Sequence, residues 1–272
     1  MLALLLGVLA ACGKSEAGDE QAANKARIEA LRAAYVPIAL DETGDKINAW
    51  NAARRKLQEE MEQGSPALGE QALLCFEQET KAAEDWRMGL LSVAAHCNPK
   101  TARPLLQKLS LVYDGVTPLS VRTEAMRLLC ATSPGVAAEL FEPIVLEPRP
   151  NVTYPPREQM LRHWILAARK VERPIDTALA SIAIDIAQPA EARYVAVDEL
   201  GKENKSSLGC KALETVLVES SSDGLLRRKA AQAMRSAMPR AEMCALLERV
   251  AQRESDPEFL NFLADLLIKN CQ

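Results

Sequence analysis

The chain is poor in the residues that most chemistry needs. It has two histidines, His96 and His163, and its aromatic content is 4% over 272 residues. No CxxC pair occurs, so with so few histidines the cysteines match no zinc spacing, and no metal or cofactor is expected. No Gly-x-Ser-x-Gly elbow and no glycine loop able to cradle a phosphate is present, and paired acids such as Glu59-Glu60 fall on solvated helix faces. Basic residues are not in surplus. The net charge is −4, and Lys and Arg alternate with Asp and Glu throughout, which argues against a nucleic-acid footprint and against strong electrostatic binding to anionic lipid. Beyond the N-terminus no apolar stretch approaches the ~20 residues of a spanning helix.

What is present begins at the N-terminus. Leu2 to Leu9 form an apolar run too short to cross a bilayer of ~30 Å as a helix, and it stops abruptly at Cys-Gly-Lys-Ser. Leu9-Ala10-Ala11-Cys12 resembles a bacterial lipoprotein lipobox, departing from it in that only Met1, and no Lys or Arg, precedes the apolar run. The resemblance implies a signal peptide over residues 1–11 and lipidation of Cys12. With ~0.8 kcal/mol per buried CH₂, two or three acyl chains make such an anchor effectively permanent. Gly13 and Lys14 stand where Asp would favour the inner membrane, so the implied location is the outer membrane, facing the periplasm. Residues 12–20 are too polar to fold and read as a tether.

From Glu20 onward Ala, Leu, Glu, Lys and Arg are abundant and apolar residues recur at three and four, the helical period, with no strand signal of any length. Turn clusters such as Gly64-Ser65-Pro66, Asn98-Pro99, Asp114-Gly115, Ser133-Pro134-Gly135, Gln188-Pro189 and Asp256-Pro257 punctuate this pattern, with one helix expected between each. Helix openings recur roughly every 31 to 39 residues: Asp85-Trp86-Arg87, Ser120-Val121-Arg122, Glu158-Gln159-Met160, Glu191-Ala192-Arg193, Leu226-Arg227-Arg228 and Pro257-Glu258-Phe259. That is the length of one helical hairpin in a repeat protein. Ser120 to Leu129 and Glu191 to Leu200, with Arg followed by Ala three later and Leu beyond, resemble the second helix of a HEAT-type repeat. The resemblance implies an all-α fold over residues 21–272: a right-handed α-solenoid of about seven hairpins, an Armadillo-type superhelix. No hairpin buries its apolar face alone, so neighbours must stack.

Apart from Cys12 there are six cysteines, an even number in an oxidising compartment. Cys244 near the start of one helix and Cys271 near the end of its antiparallel partner lie at the same end of the last hairpin and form the first candidate disulfide. Cys97 and Cys130, closing equivalent helices of adjacent hairpins, form the second. Cys75 and Cys210 read as small apolar core residues.

Two sets of residues are candidates for partner binding. Arg122, Arg193 and Arg228, with Arg87, occupy nearly equivalent helix positions; they either line a concave surface or form a ladder to Asp and Glu of neighbouring repeats. The proline-rich stretch from Phe141 to Gln159 is expected to break the array, as a recognition loop carrying Arg149, Tyr154 and Arg157 or as a crossover packed flat. Asn151 also lies there. His96 and Cys97, about 100° apart on a helix, do not share a proton easily. The expected function is a lipid-anchored cell-envelope scaffold or adaptor that binds an unidentified envelope protein through its repeat surface and performs no chemistry. The alternatives are a purely structural envelope component, or a hydrolase using acids or Cys97.

Overall fold

The computed structural model of the chain describes residues 18–29, 32, 44–112, 114–147, 157–203, 206–219 and 223–271, and every regular element among them is an α-helix. In order these are α1 (18–29), α2 (Gly44–Gln63), α3 (Pro66–Gln78), α4 (Glu84–Cys97), α5 (Pro99–Leu111), α6 (Leu119–Thr132) and α7 (Pro134–Leu146). There follow α8 (Arg157–Lys170), α9 (Asp176–Ile184), α10 (Ala190–Glu203), α11 (Ser207–Val218), α12 (Gly224–Ala237), α13 (Arg240–Ala251) and α14 (Pro257–Cys271). None is long and apolar enough to cross a membrane among the described residues. Cys12, Arg149 and Tyr154 lie outside the described residues.

Helix starts follow local chemistry. Ser65, Asn98 and Ser206 each accept a hydrogen bond from the backbone N–H three residues on, at 3.3, 3.3 and 3.0 Å, and Asp223 accepts one from Leu225 N–H at 2.7 Å. Pro66 and Pro99 open their helices, where a missing N–H costs nothing. The described part of α1 includes Gly18, Asp19 and Glu20, within the stretch expected to be tether.

The helices group into two compact units, Met1–Val136 and Ala137–Gln272. In the first, α3 packs antiparallel in sequence order against α4, α5 against α6, and α4 lies between α2 and α6. In the second, α9 pairs with α10, α11 with α12 and α13 with α14, while α10 lies between α8 and α12. The second helices of the pairs bury the same positions, counted from their first residue. The third is Trp86, Val121, Ala192, Leu226 or Phe259; the seventh Leu90, Ala125, Ala196, Ala230 or Leu263; the eighth Leu91, Met126, Val197 or Ala231. Two adjacent buried positions repeating every four residues make a stripe wide enough to touch both the partner helix and the next pair. Gly201 in α10 sets one close approach: a Cβ there would lie 2.7 Å from that of Ala233 on α12.

Three expectations are corrected. First, the segments between turn clusters hold as many as three helices, α7, α8 and α9 all falling between Ser133-Pro134-Gly135 and Gln188-Pro189. The stretch from Pro66 to Cys97 turns at Glu79 to Ala83 without glycine or proline, and the turn after α8 holds Glu172 in the left-handed region (φ 54°), with Arg173 N–H bonded to Ala168 O at 2.9 Å. Second, the proline-rich break is shorter, because Phe141 to Leu146 continue α7 and Arg157 to Gln159 begin α8. Pro143 is accommodated because Glu139, whose carbonyl it leaves without a helical donor, is on the exposed side. Third, no disulfide joins Cys97 to Cys130, while Cys244 and Cys271 are bonded, their Cα atoms 5.8 Å apart. Cys97 is the last residue of α4 and Cys130 is two short of the end of α6, so they differ by about 200° around the helix. Cys130 takes the core place that Ala95 holds in α4, and the Cys97 thiol faces Met61 O at 3.6 Å.

Candidate functional site

The arginines singled out in sequence have internal work. Arg122 in α6 and Arg193 in α10 are each the fourth residue of a fourteen-residue helix and are 8% and 7% exposed. Each reaches ten residues back, to the end of the preceding helix: Arg122 Nη1 to Val112 O at 3.4 Å, and Arg193 Nε to Ala183 O at 3.0 Å. Carbonyls at a helix C-terminus lack intrahelical donors and carry the negative end of the dipole, so a guanidinium there satisfies both needs, worth about 1.5–3 kcal/mol.

In α12 the same place belongs to Arg227 rather than Arg228. Arg227 is 6% exposed, donates Nε to Leu217 O at 2.9 Å, pairs with Glu254, and lies 4.0 Å from the centre of the Phe259 ring. Arg228, one residue on and therefore about 100° round the helix, is half-exposed and reaches the exposed Glu258 at 3.5 Å. Arg87 in α4 stacks on Phe76 at 4.4 Å. In α8, whose buried stripe starts one residue later, Leu161 takes the arginine's place; Arg157 instead donates to Ile144 O at 3.0 Å and to Gln188 Oε1 at 2.7 Å. Gln188 Nε2 donates in turn to Leu146 O at 3.3 Å. Arg157 thus closes the end of α7, and Gln188 was not visible in sequence as its partner.

A second set of polar contacts links one pair to the next at separations near one repeat. Arg169 of α8 meets Glu199 of α10 at 2.7 Å, Lys229 of α12 meets Asp198 of α10 at 2.8 Å, and Ser92 of α4 donates to Glu124 of α6 at 2.9 Å. Burial pushes the Glu199 carboxyl up, but Lys202 and Arg169 outweigh it and hold the group below its ordinary value. Glu254 behaves alike: burial is overcome by the N–H groups of Asp256 and Ser255 and by Arg227. Tyr194 donates to Asp223, and that bond, with burial, pushes the phenol up to about 12.

His96 Nδ1 lies 2.8 Å from Ser92 O while the neighbouring Cys97 thiol faces Met61, so these two side chains do not converge. Among the described residues no group of three or more His, Cys, Asp or Glu side chains could hold a metal ion.

With the arginine ladder turned inward, the candidate surface moves to the outer face of the first helices. In the first unit α3 and α5 flank a groove of about 560 Å³ lined by apolar Leu73, Leu74, Pro104 and Leu105 and by charged Glu70, Glu77 and Lys108. Leu74 is 44% exposed. Sequence reasoning did not single out Leu73, Leu74 or Leu105. The signal was their adjacency: an apolar stripe that includes Leu73 and Leu74 beside the buried Ala72 and Phe76 is wider than one packing partner covers.

No protein-family model matches the chain, and no curated protein sequence does. A comparison with solved structures finds human deoxyhypusine hydroxylase in complex with glycerol, 14% identical, aligned over 91% of this chain and 98% of that chain at a TM-score of 0.36.

Proposed function

We propose that the chain is a lipid-anchored adaptor of the cell envelope, held to the membrane through Cys12, whose helix pairs form a right-handed HEAT-like α-solenoid that captures a protein partner on its outer surface. The observation that carries the reading is the groove between α3 and α5. Its four apolar lining residues, with charged side chains among them, suit the apolar face of a partner helix or extended segment, the arrangement by which helix-in-groove recognition works. The inward ladder supports it from the other side, since arginines that fasten helix ends make each unit a stiff platform whose outer faces are left for contact. The lipobox-like N-terminus supplies the address, the outer membrane facing the periplasm, and the partner is an envelope protein.

The test is crosslinking in intact cells with the captured proteins identified by mass spectrometry. The reading expects one specific envelope protein in the wild-type chain, lost in Leu74→Asp and in Leu105→Asp with the melting temperature unchanged, and lost or relocated in Cys12→Ser. Capture that survives both groove substitutions overturns the groove as the docking face. A second reading, a purely structural envelope component, has the repeat-to-repeat contacts of Arg169, Lys229 and Ser92 in its favour; it expects no specific adduct, and an envelope weakened by loss of the chain.

A further inference from the structure

Independently of the adaptor reading, we propose that the second unit carries a binding site for a phosphate group in the recess where Arg235 of α12, Arg240 of α13 and Lys269 of α14 converge. The recess measures about 570 Å³, and Gln232, Ser236 and Asn270 complete its polar lining. Three cations arrive from three different helices and, among the described residues, no carboxylate lines the recess and none of the three enters an ion pair. Elsewhere in the unit Arg169, Arg173, Arg227 and Lys229 each meet a carboxylate. Like charges gathered without a counter-charge repel one another, and an anion of more than one charge removes that repulsion. The Cys244–Cys271 disulfide ties the end of α14 to the start of α13, with Lys269 and Asn270 immediately before the bridge, so the backbones that carry Arg240 and Lys269 are joined covalently beside the recess. Asn270 Nδ2 is fixed by a 2.7 Å hydrogen bond to Leu266 O. A guanidinium pair with an ammonium suits the tetrahedral oxygens of a phosphate, whether on a soluble molecule or a lipid headgroup.

The experiment uses the full-length chain carrying Cys12→Ser, so that no anchor contributes. Inorganic phosphate is titrated by calorimetry in chloride buffer, and in parallel the protein is sedimented with phosphatidylglycerol or phosphatidylcholine vesicles. Arg240→Ala and Lys269→Ala change exposed side chains, and melting curves verify their folding; Arg253→Ala, an exposed arginine outside the recess, is the control. Saturable phosphate binding weakened about tenfold in each recess variant and unchanged in the control supports the site with a soluble ligand. Binding only to phosphatidylglycerol vesicles, with the same dependence on Arg240 and Lys269, supports it with a lipid headgroup as the source. No binding in either arm, or binding that the recess variants retain, overturns it.

Discussion

Arg227 and Phe259 stack across two neighbouring helix pairs, the guanidinium carbon 4.0 Å from the ring centre, with Glu254 closing the pair from the loop ahead of α14. Glu254 uses its other oxygen to accept from Ser255 and Asp256 N–H at 2.8 and 2.9 Å, so one buried carboxylate joins the turn before α14 to an arginine that also caps α11. The last two pairs are therefore fastened through a single charged cluster, and the outcome of breaking it can be stated.

Arg227→Ala is expected to lower the unfolding free energy by about 3–5 kcal/mol, because it strands the buried Glu254 charge and leaves the Leu217 carbonyl without its donor. Arg228→Ala is expected to cost under about 1 kcal/mol, its pair with Glu258 being exposed. Urea unfolding of the two variants side by side checks the assignment, and equal losses would refute it. By the same reasoning Arg193→Ala lowers the melting temperature.

Acid should weaken the fold. Glu199 and Glu254 sit below their ordinary value of 4.5 in the native state, and Asp223 below 3.8. A carboxyl whose native pKa is depressed contributes stability in full above its unfolded value and loses it as pH falls through the native one. Melting temperature is expected to be flat above about pH 5 and to fall below about pH 4, and Glu199→Gln should reduce that slope while lowering stability at neutral pH.

Asp114 titrates locally. Hydrogen bonds from Thr117 N–H, Val116 N–H and the Thr117 hydroxyl lower it from 3.8 to about 2. A proton-detected titration should find that midpoint. Thr117→Val removes the hydroxyl donor only and should move it part of the way back toward 3.8.

The disulfide closes a separation of 27 residues. Its reduction should cost about 3–4 kcal/mol by the loop-entropy estimate, read as a drop in melting temperature on adding dithiothreitol. Alkylation of the unfolded, unreduced chain should label Cys75, Cys97, Cys130 and Cys210 and spare Cys244 and Cys271.

Gly201→Ala should destabilise by about 1–3 kcal/mol, since its Cβ would overlap Ala233 and press on the α12 backbone 3.0 Å away. Gly224→Ala, where nothing lies within 4 Å, should be close to neutral. Thermal melts of the two variants decide the matter.

Much of the fold was legible in the sequence. The apolar period marked the helices, Pro66, Pro99, Pro134 and Pro257 marked where four of them begin, and the hairpin register brought Cys244 to Cys271. These features depend on residues close in the chain or on one antiparallel turn, so local rules reach them. The turn at Glu79 to Ala83 escaped because no residue type announces it, and only the packing of α3 on α4 imposes it.

What the tertiary structure alone decided is which of two neighbouring side chains faces inward. Arg227 and Arg228 are chemically identical, and the choice rests on Leu217, Glu254 and Phe259, residues ten to thirty-two positions away. Cys97 and Cys130 likewise looked equivalent until the shared burial pattern of α4 and α6 placed them about 200° apart. The sequence determined the helices and their spacing because a 3.6-residue period repeats along each one. Rotational register, and with it the division between the inward ladder and the outward groove, follows from contacts between helices, which no local pattern encodes.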